Sequence, residues 1–239
     1  MRGITDDPKE HLLTTAERLF AEYGLEAVSA RQIALAAGHR NQSAIHYHFG
    51  TKEALIHALR ARRVQEINER RRVILEEMVH DKRINNLRAL IEALILPLAQ
   101  KVDQTPNGGN YARFLAHLFA DRRRRDLWME KSEETALLRR VYRLMRRQTS
   151  WVPEPLWSER LRFVVGGMIN ALADRERMRA AEDPTWRKLP EPVFVHHLVD
   201  AALAILTAPV SALVLEQTAD HENRTMEGER KCWKQQKPL

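Results

Sequence analysis

Between Ser29 and Lys52 the chain reads SARQIALAAGHRNQSAIHYHFGTK. Gln42, Ser43, His46 and Tyr47 are short or planar donors and acceptors, crowded into six positions. A Gln amide pairs bidentately with an adenine edge, and a Ser hydroxyl bonds to several base edges. His and Tyr reach phosphate oxygens or stack on sugars. Lys52 falls in the first turn of a following helix, whose free N–H groups suit a phosphate. The chemistry is that of a duplex reader, provided these side chains share one face.

The apolar residues of the segment supply that condition. Ile45 and Phe49 are spaced i, i+4, so they line the opposite side of a short helix. Ile33, Ala34 and Ala37 form the face of a preceding helix, and the two alanines are small where the helices cross. Gly38 ends the first of these helices and Gly50 the second. Two short helices joined by a tight turn make a helix-turn-helix, with Gln42, Ser43, His46 and Tyr47 on the outer face of the second.

The flanking residues punctuate the supporting helices. Pro8 suits a first turn, and a helix over 8–23 carries the stripe Leu12, Leu13, Ala16, Leu19, Phe20 and Tyr23, stopped by Gly24. Ser29 caps a second helix over 30–37, and Asn41 caps a third over 42–49. Thr51 caps a fourth that runs to about His80. Further apolar stretches at helical spacing cover 84–102 (kinked at Pro97), 111–121, 133–147, 157–181 and 193–207, with TPNGGN at 105–110 as a loop. Alternating strand patterns are nearly absent. The expected class is all-α: an N-terminal helix-turn-helix unit over 1–52, a larger helical domain over 53–211 and a polar, disordered tail over 212–239. Gly166-Gly167, in FVVGGMINALA, reads as a place of close helix approach.

Charge and composition agree without deciding. The net charge is +7. Between Arg40 and Arg72 eight bases face three acids, a net of +5 over 33 residues centred on and just after the reader. A second run, Arg122 to Arg125, is a solvated loop or helix end. Hydrophobic residues make up 44%, enough for a real core. No apolar run reaches the roughly 18 residues of a membrane span. The start, MRGITDDPKEH, does not read as a signal peptide, and the single Cys232 excludes a disulfide framework, so a cytoplasmic protein is expected.

Other chemistries fare worse. His46 and His48, at i, i+2, diverge around a helix and cannot share one metal, so no metal or cofactor is expected. His196 and His197 diverge likewise. Glycine-rich phosphate loops, nucleophile elbows and paired metal histidines are all missing, and no catalytic set is found. A helical interaction protein whose basic surface binds RNA or acidic protein is the second reading. Equal affinity for any polyanion is its signature.

The segment AGHRNQSAIHYHFGTKEAL resembles the recognition segment of TetR-family transcriptional regulators. The matching pieces are Ala37-Gly38, Tyr47-His48-Phe49 and Gly50-Thr51-Lys52-Glu53, with AERLFAEYGLEAVSARQIA upstream; the turn after Gly38 is one residue longer than in many members. The resemblance implies a transcriptional regulator, a homodimeric repressor released from a palindromic operator by a small molecule. It implies that Gln42, Ser43 and His46 face the groove, that Tyr47, His48, Thr51 and Lys52 meet phosphates, and that Arg31 reads a base or a phosphate, with Arg40 and Asn41 reaching duplex DNA through the longer turn. It also implies a partner chain held by the last two helices, through Phe163, Val164, Met168, Leu172, Phe194, Leu198, Ala201, Ala202 and Ile205. Finally it implies an effector pocket, for which Leu90, Leu94, Phe114, Leu118, Trp128, Leu138, Tyr142 and Met168 are the candidate lining residues, each also able to serve as plain core.

Overall fold

In the computed structural model residues 7–103, 109–121, 123 and 135–218 are described, and no strand occurs among them. The chain divides into two compact units, residues 1–206 and 207–239.

The first unit starts with three short helices set by local chemistry. In α1 (Pro8–Tyr23) the Asp7 carboxylate accepts from Lys9 N at 2.9 Å, and Gly24 ends the helix at φ +84°, a conformation that a side chain would strain. Leu12, Leu13, Ala16 and Phe20 are buried, whereas Tyr23 is 59% exposed, contrary to the expected stripe. The chain turns at Gly24, and Leu25 and Val28 fill the core positions instead. In α2 (Ala30–Ala36) Ser29 and Gln32 form a reciprocal capping box. Its end is a Schellman turn: His39 N donates to Ala34 O and Gly38 N to Leu35 O, with Gly38 at φ +79°. The third helix, α3, is Ser43–Phe49, one residue shorter than expected. Asn41 still serves its start, with Oδ1 accepting from Ser43 N at 2.9 Å.

The remaining helices build the larger body. They are α4 (Lys52–His80), α5 (Leu87–Asp103), α6 (Tyr111–Ala120), α7 (Ala136–Gln148), α8 (Glu154–Ala180) and α9 (Glu191–Thr207), with a 3₁₀ turn at Pro184–Lys188. Thr51 caps α4, accepting from Ala54 N at 3.1 Å. Asn86 bonds Ala89 N at 3.0 Å, so α5 starts at Leu87 and not at Ile84. Both α8 and α9 begin earlier than expected, because Pro155 and Pro192 fall in first turns where no N–H is needed. Pro97 lies inside α5 without ending it.

Packing centres on α6, which lies against α8 and α1. A Cβ on Gly166 would come within 2.9 Å of Phe119 Cε1, so this glycine is what lets α6 and α8 approach; Gly167 faces open space. Glu176 of α8, almost fully buried, accepts from Ala112 N at 3.2 Å and Arg113 N at 2.9 Å, capping α6 from a distance in sequence. Burial pushes its carboxyl up to about 7, against those two bonds, which favour the charged form. On the other side α4 packs on α5 and α7.

In the second unit residues 212–218 form a short helix, α10, with Val214 N donating to Ser211 Oγ at 3.4 Å. The expected tail therefore begins with helix, and its residues 219–239 lie outside the described residues.

Candidate nucleic-acid interface

Only Ile45 of α3 is fully buried. Gln42, Ser43, His46 and Tyr47 are exposed, and Tyr47 leaves 86% of its surface in solvent, more than any other large apolar or aromatic side chain among the described residues. A soluble fold gains nothing from an aromatic held out in this way, so the ring is available to a partner. His48 and Phe49 are half-buried, and the His48 ring meets Tyr47 edge-on with centroids 4.9 Å apart. The expected outer face is thus present as one surface.

Local bonds preset its donors and acceptors. Ser43 Oγ and Asn41 Oδ1 are hydrogen-bonded, which fixes both at the tip of α3. The His46 Nδ1 pairs with Gly50 O at 2.7 Å, and a carbonyl can only accept. His46 Nδ1 therefore carries a proton and donates to that carbonyl. Thr51 is committed to capping α4, whose first N–H groups open beside it. The half-buried Lys52 has its ammonium 5.9 Å over the Phe20 ring. Arg31 and Arg40 are exposed and have no carboxylate partner among the described residues.

Half of the charge run behind the reader is drawn into the fold and is not left on the surface. Arg62 pairs with Glu10, and Arg63 Nε lies 2.7 Å from Glu17, which is buried. Arg72 pairs with Glu69 at 2.9 Å. Arg60 and Arg71 are buried. Of the eight bases, two (Arg62 and Arg63) tie α1 to α4 and two (Arg60 and Arg71) face inward. The Glu17–Arg63 pair extends through Glu66 to Lys101 of α5, 2.6 Å away. Arg63 also packs over the Tyr111 ring at 5.9 Å, so this network joins the reader's first helix to the body. From the second run Arg123 is exposed and pairs with Glu26 at 2.9 Å.

Within the body a cavity of about 40 Å³ is bounded by α4, α5, α6, α7 and α8. Four of the candidate lining residues, Leu94, Leu138, Tyr142 and Met168, border it. Leu90, Phe114 and Leu118 are fully buried but do not line it, and Trp128 lies outside the described residues. Arg60, Arg71 and Tyr111, which sequence reasoning did not single out, do line it. A charge on a long amphipathic helix carries no mark of facing inward, so no signal in the sequence separated them.

A second depression, of about 180 Å³, lies between α8 and α9 and includes Phe163, Gly167, Leu198, Ala201 and Ile205. Phe163 is 63% exposed there. Val164, Met168, Leu172 and Ala202, expected at the same surface, are buried within the chain itself, while Phe194, Leu198 and Ile205 are half-buried. The outer edge of α9 is fastened by polar groups: Arg88 to Asp200 at 2.6 Å, Arg175 to Glu191 at 2.7 Å, and the Arg175 guanidinium 4.2 Å over Phe194.

Comparison with known proteins bears on this arrangement. The family model described as bacterial regulatory proteins, tetR family, matches residues 12–59, which hold α1 to α3 and the start of α4. A second model, described as the tetracyclin repressor-like C-terminal domain, matches residues 92–204. Together they take in about two thirds of the chain. No curated protein matches the sequence. Similar solved structures include a TetR-family regulator from Streptomyces coelicolor A3, 21% identical, with a TM-score of 0.41 over 86% of this chain and 98% of that one. They also include a TetR-family transcriptional regulator from Rhodococcus sp., 15% identical, with a TM-score of 0.36 over 84% of this chain and 98% of that one. With a reader of the matching segment at one end and the matching helical body behind it, this chain belongs to the TetR family of DNA-binding transcriptional regulators.

Proposed function

We propose that two copies of this chain form a repressor that holds a palindromic operator and leaves it when a small molecule enters the body. The observation that carries the reading is the outer face of α3, where Gln42, Ser43, His46 and Tyr47 stand in solvent around the single buried anchor Ile45. In this reading Gln42, Ser43 and His46 meet base edges. Tyr47, His48, Thr51 and Lys52 meet phosphates, and Arg31, Arg40 and Asn41 extend the contact on either side. The working unit is residues 1–52, carried by 53–211 in the cytoplasm, and no catalytic role is assigned to any residue.

A helix as short as α3 covers few base pairs, so specific binding needs two readers held about 34–36 Å apart, or a multiple of that. The surface between α8 and α9 suits the partner chain, because Phe163, Leu198, Ala201 and Ile205 leave apolar area that the chain does not cover itself. The effector site is the cavity lined by Leu94, Leu138, Tyr142 and Met168. A ligand there biases the body between two arrangements, and the Glu17–Arg63–Tyr111 contacts transmit the bias to α1. A coupling of about 1–3 kcal/mol gives roughly 5–150-fold release.

Gel shift against the DNA upstream of the chain's own gene tests the first part. Specific retardation that is lost in Gln42→Ala, with the melting curve unchanged, supports the reader. Equal affinity for RNA, heparin and random duplex defeats it. Sedimentation of Phe163→Asp tests the second part: a folded monomer is expected where the native chain is a dimer, and an unaltered dimer places the interface elsewhere.

A further inference from the structure

The cavity walls contain groups that a purely apolar ligand would leave unsatisfied. Arg71 is 5% exposed. Its Nε donates to Ala93 O at 3.1 Å and its Nη1 to Asn68 Oδ1 at 2.6 Å, both neutral acceptors. Among the described residues no carboxylate lies within ion-pair distance of it. Two acids of the α1–α4 contact are already occupied: Glu17 by Arg62 and Arg63, and Glu66 by Arg63 and Lys101. The Tyr111 hydroxyl is buried at the same cavity and has no hydrogen-bond partner. Tyr111 as a whole is 3% exposed. A buried cation beside an unused hydroxyl donor is costly, and native proteins keep such a pair where something else completes it.

We infer that the effector carries an anionic head, a carboxylate held by Arg71 and the Tyr111 hydroxyl, on a largely apolar body. This rests on the reading of the cavity as the effector site. The rest of the wall fits the apolar part: Leu94, Leu98, Leu115, Leu138, Val165 and Met168 all face it. Arg60, on the same helix as Arg71, adds a second positive group to the wall. A guanidinium and a phenol both donate and have no acceptor role toward a carboxylate, so an anion satisfies both at once. Burial already draws the Arg71 pKa below its ordinary value, which is the cost that a bound carboxylate would relieve.

At about 40 Å³ the cavity holds a head group and no more. The body of the ligand enters by displacing side chains, and this links binding to a change in helix packing. Tyr142 marks the route. It borders the cavity and also an open groove of about 630 Å³ that contains Arg139, Arg143, Arg146 and Trp157. The groove also holds Glu154, paired with Arg146 at 2.7 Å, so its three arginines and one carboxylate leave it net positive, and an amphipathic anion is drawn to the outer side of Tyr142 before it enters.

The experiment uses the full chain, with decanoate and phenylacetate as probes and decanol and phenylacetamide as their uncharged matches. Binding is read by calorimetry. One carboxylate per chain is expected, preferred over its neutral match by roughly tenfold to hundredfold. Arg71→Met should abolish the preference, Tyr111→Phe should reduce it, and Arg71→Lys should keep part of it; melting curves establish that each variant is folded. Neutral matches that bind as tightly as the carboxylates overturn the inference. So does a preference that survives Arg71→Met, or an absence of binding by either carboxylate at millimolar concentration. Release from DNA separates this from the parent reading. Neutral compounds that bind the cavity and release DNA leave an effector site without an anionic head. Carboxylates that bind through Arg71 and release nothing leave an anion site that is not the effector site.

Discussion

Replacing Tyr47 by Ala isolates the reader from the fold. Because the ring leaves 86% of its surface in solvent, its removal should change folding stability by no more than about 0.5 kcal/mol, a melting shift of about 2 °C at most. Its effect on DNA is different in kind. A phenol donating to a phosphate oxygen is a hydrogen bond to a charged group, worth about 1.5 kcal/mol, and a two-fold dimer makes it twice. The expected loss is therefore about 3 kcal/mol, on the order of a hundredfold in Kd. Fluorescence anisotropy on a labelled duplex from the upstream region measures it, in a salt series. Tyr47→Phe should lose most of the same affinity, since the ring remains and only the hydroxyl is gone. The slope of log Kd against log salt should not change, because Tyr47 carries no charge. Lys52→Ala should lower that slope by about one per half-site and weaken every duplex alike. An unchanged affinity in Tyr47→Ala, or a melting temperature several degrees lower, would refute the assignment of this face to DNA.

Three further outcomes follow from the packing. Glu176 titrates at about 7 in the folded protein against 4.5 ordinarily, so between those values the folded chain holds more protons than the unfolded one. Stability therefore falls as pH rises through that window, by up to about 3 kcal/mol relative to Glu176→Gln, whose stability lacks this term; urea titrations at pH 5 and pH 7.5 that shift both proteins equally would contradict it. Gly166→Ala drives a methyl to 2.9 Å from Phe119 and should cost about 1–3 kcal/mol, read as a lower urea midpoint. Glu17→Ala removes a buried carboxylate and strips the half-buried Arg63 of its closest partner, leaving it Glu66, and should cost about 1–3 kcal/mol, with part of the loss recovered when Arg63→Met is added; strictly additive losses in the double variant would show that the two do not interact.

The reader was legible residue by residue because its cues are local. Ser29, Gly38, Asn41, Gly50 and Thr51 each act within about five positions of the chain, and the structure uses every one of them at a helix end. The slips are small: α2 and α3 each lose one residue at an end, and Tyr23 stands outside the α1 stripe. Gly166 was also legible, since a glycine inside an apolar helix implies a close neighbour. Which way the charges after the reader point was not legible. Arg60, Arg62, Arg63 and Arg71 have the same side chain within one helix, yet two line a cavity and two clamp α1. Their directions differ by about 100° per residue, and which direction is inward depends on where α1, α5 and α7 come to rest. The surface between α8 and α9 was half legible for the same reason: Val164 and Leu172 are as apolar as Phe163, but the fold of the single chain covers them and leaves Phe163 out.

What the amino-acid order alone determined is a set of capped helices and an outer face bearing Gln42, Ser43, His46 and Tyr47, because capping, glycine turns and i, i+4 spacing are short-range. What the tertiary structure decided is the fate of the charges and of the polar groups between helices. Glu17 is buried against Arg63, Glu176 caps α6 from 63 residues away at Arg113, and Arg71 and Tyr111 turn toward one cavity. Those partners meet only when helices distant in sequence pack together, and no local rule states which of them will.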